Sequence, residues 1–179
     1  MTTDIRLQLA LDFTSLAEAV EMANRVYPHF DILEVGTPLL LAEGLRAVSE
    51  LKARFPDRLV LADAKIMDAG HCEADLAFRY GADIVTVLAA ADDRTVQGAL
   101  QAARSHGKRL MADLINVQNT ARRGRELNVM GVDIIGLHTA YDRQDEGVNP
   151  LGELAELRGC LTAALSIAGG LKLDNLPEI

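Results

Sequence analysis

The sequence has no tryptophan, and aromatic residues make up only 4% of its 179 positions. Whatever core it builds must therefore rest mainly on Ala, Leu, Val and Ile. Cysteine is scarce too. Cys72 and Cys160 lie far apart, without Cys-x-x-Cys or Cys/His ligand spacing, so neither a disulfide scaffold nor a zinc site of the usual pattern is expected. They read as two reduced, semi-buried thiols in a reducing compartment. No apolar run approaches the roughly 18–20 residues of a membrane span. Met1-Thr2-Thr3-Asp4 lacks the cationic start of a secretory leader, so a cytoplasmic location is expected. Positive charge is also in short supply: 18 Lys and Arg stand against 26 Asp and Glu, giving a formal net charge of −8 and a pI near 5.0. That balance counts against non-specific nucleic-acid binding, which needs a basic surface. It leaves open a local pocket for a phosphorylated metabolite.

What is present is regular. Hydrophobic residues reach 49% and charged residues 25%, ordinary for a globular domain, and 19.3 kDa suits one domain. Short aliphatic runs alternate with amphipathic segments. Ile5 to Leu11 predicts a strand and Ser15 to Val26 a helix; Ile32 to Val35 then precedes a helix from about Ala42 to Arg54. The pattern repeats with Leu59 to Ala62 and a helix near Cys72 to Tyr80, then Ile84 to Leu88 and a helix near Arg94 to His106. Arg109 to Leu114 precedes a helix near Thr120 to Val129, Ile134 to Leu137 one near Pro150 to Leu161, and Ala164 to Ala168 is the last strand. Gly81, Gly107 and Gly131 stand where helices should stop in a left-handed residue. Such alternation means right-handed βαβ units and a parallel sheet, whose buried strands are aliphatic.

Seven such strands leave an open doubly wound sheet or a (β/α)8 barrel. The dinucleotide fingerprint fails, because Asp12-Phe13-Thr14-Ser15 follows the first strand in place of a Gly-x-Gly-x-x-Gly turn, and no Walker lysine loop exists. The expectation is a single α/β domain over 1–179, a (β/α)8 TIM barrel truncated after strand 7, since such barrels usually need about 200 residues or more.

Barrel chemistry gathers at the C-terminal ends of the strands. Here those ends carry Asp12, Glu34, Asp63 with Lys65, Asp113 and His138, and then Gly169-Gly170. Any one of them alone reads as a helix cap or a solvated loop residue; the recurrence at one topological position is the signal. Asp63 and Lys65, two apart, point to the same side of a strand. Asp63 and Asp68 bracket the lysine and favour its charged form, suited to offsetting an oxyanion or delivering a proton. A Schiff-base lysine needs the opposite shift. His29, His71 and His106 read as surface or helix-end residues and Asp113 as a structural cap.

Leu61-Ala62-Asp63-Ala64-Lys65-Ile66-Met67-Asp68-Ala69-Gly70 resembles the Asp-x-Lys-x-x-Asp signature of the orotidine 5′-phosphate decarboxylase superfamily. Gln8-Leu9-Ala10-Leu11-Asp12, Glu34-Val35-Gly36-Thr37-Pro38 and Ala168-Gly169-Gly170 are similar to the branch that holds 3-hexulose-6-phosphate synthases and 3-keto-L-gulonate-6-phosphate decarboxylases. The resemblance runs from Leu7 to Ile179. It implies a TIM barrel, a homodimer with shared active sites, and Mg2+-assisted chemistry through an enediolate of a small phosphorylated sugar. It implies Glu34 and Asp63 as Mg2+ ligands, Asp12 on substrate hydroxyls, Lys65 beside the enediolate, Asp68 in the partner's site and His138 as the proton carrier. Gly169 and Gly170 would grip the phosphate through backbone N–H groups. His138-Thr139-Ala140-Tyr141-Asp142, with Thr86-Val87-Leu88 and Ile115-Asn116-Val117, resembles the synthase pattern, with Ala140 where glycine is common. The decarboxylase pattern places arginine at Tyr141. The implied activity is therefore aldol addition of formaldehyde to D-ribulose 5-phosphate, with the decarboxylase as the alternative. The absence of an eighth β/α unit leaves a third reading open, a catalytically silent barrel fragment whose edge strands stay unpaired.

Overall fold

The computed structural model describes residues 5–146, 150–174 and 176–178. Strands β1 (Gln8–Leu11), β2 (Ile32–Val35), β3 (Leu59–Ile66), β4 (Ile84–Leu88), β5 (Arg109–Asp113), β6 (Ile134–His138) and β7 (Ala164–Ala168) pair in chain order, every pair parallel. Between them run α1 (Leu16–Val26), α2 (Thr37–Glu43), α3 (Arg46–Arg54), α4 (Gly70–Arg79), α5 (Asp93–His106), α6 (Thr120–Met130) and α7 (Leu151–Leu157). Consecutive parallel strands with helices between them make a curled, TIM-barrel-like α/β fold.

The two-residue period of the strands sorts their side chains into two layers. Leu11, Leu33, Val35, Val60, Ala62, Val85, Val87, Leu110, Ala112, Ile135 and Leu137 face outward, into one core shared with the helices. Ile32, Leu61, Ile84, Met111 and Ile134 face inward and form a separate apolar tier inside the curl. Below that tier, the even strands begin with aspartates that hold the preceding strand. Asp31 accepts the Leu7 N–H (2.8 Å), Asp83 the Val60 N–H (3.0 Å) and Asp133 the Leu110 N–H (2.9 Å). Asp83 is buried, and its charge is met by Lys52 (2.8 Å) and Lys108 (2.6 Å).

Several elements differ from expectation. The helix predicted from Ala42 to Arg54 is two helices: Pro38 supports an earlier start in the first turn of α2, and Gly44 at φ +65° ends it before α3 begins. β3 runs on to Ile66, because its last residues form an irregularity rather than a loop. The helix expected to Leu161 ends at Leu157, and among the described residues a 3₁₀ turn, Leu176–Glu178, follows β7. Both cysteines are exposed, not semi-buried. Residues 1–4, on which the leader reading rests, lie outside the described residues.

Helices α4 and α5 pack closely, and glycine makes this contact possible. A Cβ on Gly70 would lie 1.9 Å from the Thr95 carbonyl oxygen, and one on Gly98 would lie 3.0 Å from the His71 nitrogen. Gly70→Ala must therefore push α4 off α5, which costs about 1–3 kcal/mol as overpacking. The expected loss in thermal melting is roughly 2–4 °C per kcal/mol for a chain of this size. Gly152, in α7, has open space around the Cβ position, so Gly152→Ala is expected to raise stability by about 0.5–1 kcal/mol. Melting curves of the two variants check both signs.

Candidate active site

Two residues beyond the inner apolar tier, the same strands turn polar. Ile32 is followed on its face by Glu34, Leu61 by Asp63, Ile84 by Thr86 and Met111 by Asp113; β6 passes through Gly136 to His138. One strand face thus supplies an apolar floor and a polar tier above it.

Asp63 is the centre of this tier and only 6% exposed. Its Oδ2 accepts from the Thr37 hydroxyl (2.8 Å) and from the Lys65 ammonium, and its Oδ1 accepts from the Thr86 hydroxyl (2.8 Å). Ionised, this carboxylate would cost several kcal/mol to bury without such donors. The β3–β4 register explains the proximity of Asp63 and Lys65. Ala62 pairs with Val85 but Ile66 pairs with Val87, so a bulge over residues 63–65 lies opposite Thr86. Lys65 adopts φ +46°, and its N–H donates to Thr86 Oγ1 (2.9 Å).

Lys65 also lies 3.8 Å from Asp113 Oδ2. Burial alone would lower its pKa, but the charges of Asp63, Asp113 and Glu34 outweigh burial and raise it, so the lysine is held as an ammonium. That direction is opposite to the depressed pKa that a Schiff-base lysine requires.

Asp113 does more than the structural cap read from sequence. Its Oδ1 accepts the Ile115 N–H (2.9 Å), a loop cap as expected, while its Oδ2 accepts from His138 Nδ1 (2.8 Å). Burial would lower the His138 pKa; the hydrogen bond and charge of Asp113 prevail and raise it above 6.5. With Nδ1–H committed to Asp113, Nε2 is the nitrogen available for proton exchange.

At the β1 and β2 ends, Gln8 Nε2 donates to Glu34 Oε2 (2.6 Å). Burial, then the nearby charge of Asp63, push the Glu34 pKa up to about 7. Asp12 is exposed and lies over Gly36, where a Cβ would meet Asp12 Oδ1 at 2.0 Å. Glycine at position 36 is thus what lets Asp12 approach. Asp68 is exposed, outside this network; its Oδ1 accepts the Ala69 N–H (2.7 Å), and Ala69, not Asp68, is the N-cap of α4. Gly169 and Gly170 follow β7 at φ +80° and +72°. A Cβ on Gly169 would lie 2.1 Å from the Thr139 carbonyl oxygen, so the close approach here is to its own chain.

Glu34 and Asp63 fit a hard divalent cation as a half-site. Mg2+ takes one or two carboxylates and completes its shell with substrate and water. Two neighbouring carboxylates, one raising the other's pKa, supply that many, and the described residues hold no cluster of three or more acidic, His or Cys side chains suited to a metal. Sequence reading missed Gln8, Thr37 and Thr86 as members of the site. Gln8 and Thr86 were findable from the inner-face period; Thr37 was not, since it belongs to a helix.

Asp113→Asn removes the charge that raises the His138 pKa, so the imidazole pKa is expected to fall relative to wild type. The raised value means the His138–Asp113 pair contributes its full stability below pH 6.5 and loses it as pH rises through the folded pKa. An NMR titration of the ring in both proteins checks the direction.

Residues 5–178 match the orotidine 5′-phosphate decarboxylase / HUMPS family. The chain is 47% identical over 176 residues to a 3-hexulose-6-phosphate synthase of Bacillus subtilis, covering 98% of this chain and 84% of that protein. Its fold matches the crystal structure of 3-hexulose-6-phosphate synthase from Salmonella typhimurium with a TM-score of 0.91 and 41% identity, over 96% of this chain and 82% of that one. The crystal structure of 3-keto-L-gulonate-6-phosphate decarboxylase from Vibrio cholerae matches with a TM-score of 0.83 and 30% identity, over 97% and 82%. By these matches the chain belongs to the orotidine 5′-phosphate decarboxylase / HUMPS family.

Proposed function

We propose that this chain is an aldehyde-lyase that joins formaldehyde to D-ribulose 5-phosphate, giving D-arabino-3-hexulose 6-phosphate. One observation carries the reading: the extended likeness to synthases, at higher identity than to the decarboxylase structure. The site's chemistry supports it. His138 Nε2 takes the C1 proton of ribulose 5-phosphate, and Asp113 stabilises the imidazolium that results. Lys65, already charged, offsets the negative charge developing on the enediolate oxygen. The enediolate C1 then bonds to the formaldehyde carbon, whose oxygen takes the proton back from the His138 imidazolium to become the new hydroxyl. Asp12 orients substrate hydroxyls, and the Gly169-Gly170 backbone holds the phosphate. Glu34 and Asp63 would hold Mg2+, which would supply Lewis acidity toward the substrate oxygens.

The same reading makes the protein cytoplasmic and its seven described strands part of an eight-unit barrel. It also makes the enzyme a homodimer, with Asp68 reaching the partner's site. Exposed apolar side chains on the same rim support that assembly. Leu41 is 83% and Leu76 40% exposed along a groove beside Asp63, and Met67, next to Asp68, is 54% exposed.

Formaldehyde consumption dependent on ribulose 5-phosphate tests the activity, and loss of that rate on EDTA treatment, restored by Mg2+, tests the metal. CO2 release from 3-keto-L-gulonate 6-phosphate without formaldehyde fixation would assign the decarboxylase instead. Because the base must be neutral, kcat/KM is expected to rise with pH through the raised His138 pKa. Mixing inactive Lys65→Ala and Asp68→Ala proteins tests the dimer. Shared sites give each mixed dimer one intact site, so equal mixing restores roughly a quarter of wild-type activity. No recovery after confirmed exchange would place Asp68 within its own subunit.

A further inference from the structure

Thr86 belongs to β4 and is only 3% exposed. Its hydroxyl does two things at once. It donates to Asp63 Oδ1 (2.8 Å) and accepts the Lys65 N–H (2.9 Å). The second bond is unusual in its setting. Along a regular parallel pair, the Lys65 N–H would go to a backbone carbonyl of the neighbouring strand. Here the bulge over residues 63–65 breaks the ladder, and Lys65 adopts φ +46°, a conformation that side-chain-bearing residues rarely take. A threonine side chain stands in for the missing ladder partner.

We propose that Thr86 is a positioning residue: its hydroxyl locks the β3 bulge, fixing the Lys65 backbone and the Asp63 carboxylate in one geometry for turnover. The proposal rests on the synthase reading only for the reaction it serves. The bulge sends the chain at Lys65 into a left-handed turn, so the ammonium depends on that turn for its place beside Asp63 and 3.8 Å from Asp113. Valine has the same shape as threonine but offers neither donor nor acceptor. It would leave the Lys65 N–H without its partner and free Asp63 Oδ1 to rotate. Serine keeps both bonds and loses only a methyl group. Thr37 cannot substitute for Thr86, because its hydroxyl reaches the opposite oxygen, Oδ2, and the Asp63 carbonyl (2.9 Å).

The test is steady-state kinetics and crystallography of wild type, Thr86→Val and Thr86→Ser. Thr86→Val is expected to lower kcat by roughly 10–100-fold, as a misplaced catalytic group does. KM for ribulose 5-phosphate should stay within about threefold, since a positioning fault acts on the reaction more than on binding. Thr86→Ser should recover kcat to within about threefold of wild type, a rescue that a purely packing role would not give. In the Thr86→Val crystal, Lys65 should leave φ +46° or its ammonium should part from Asp63. If Thr86→Val does not fold, Thr86→Ala takes its place against Thr86→Ser. The proposal is overturned by wild-type kcat in the variant lacking the hydroxyl, by equal loss in the serine variant, or by an unmoved Lys65–Asp63 pair. Should wild type itself fail to consume formaldehyde, the assigned reaction falls, and the paired crystal structures alone decide the role of Thr86.

Discussion

The carboxylate of Asp63 is only 6% exposed, and the upper half of the strand curl is organised around supplying its two oxygens with donors. A buried charge is tolerated only when its lone pairs are met and its sign is balanced. Three elements contribute: α2 brings Thr37, β4 brings Thr86, and the bulge in β3 brings Lys65. Each donor comes from a different piece of chain, so the carboxylate forms its contacts only after these elements have packed. The lysine it captures then reaches Asp113, and Asp113 holds His138. One continuous line of charge and hydrogen bonds therefore runs from β3 through β5 to β6, across the mouth of the curl.

Acidic residues at the two ends of the strands do opposite work. At the lower end, Asp31, Asp83 and Asp133 accept backbone N–H groups of the preceding strand, and lysine or arginine partners saturate the last two. Burial pushes the Asp83 carboxyl up, yet Lys108, Lys52 and the Val60 N–H bring it below its ordinary range, the signature of a satisfied structural anion. At the upper end, Glu34 has one amide partner and a like charge beside it, and burial leaves its pKa near 7. A carboxyl with a raised pKa beside one met by three donors is a pairing that functional sites often carry. The apolar tier of Ile32, Leu61, Ile84, Met111 and Ile134 lies between the two ends.

The helical layer serves this interior by staying close and rigid. Alanine and glycine dominate the contacts of α4 and α5, and Gly70 brings the Thr95 carbonyl nearer than any side chain would allow. That contact anchors the start of α4, which follows the Asp63–Lys65 bulge by only a few residues. A change at Gly70 is therefore felt first as stability and second as a shift in the loop carrying Asp68.

The sequence by itself determined the strands, their parallel order and the acidic and basic residues at their tips, because a two-residue period and aliphatic runs encode burial locally. It placed Glu34, Asp63, Lys65 and His138 at one end for the same reason: a strand fixes which side chains share a face. It read Asp113 as a cap and gave Thr86 and Thr37 no role of their own, because a hydroxyl on a strand or helix carries no local sign of the charge it will meet. Only the tertiary structure decided those partnerships. The bulge opposite Thr86, the left-handed Lys65 and the Asp113–His138 pair arise from register between strands, which short-range sequence does not specify. The same holds for the break at Gly44 that divided one expected helix in two, and for the exposure of both cysteines. Local periodicity says which way a residue points; the packing of distant segments decides what it touches there.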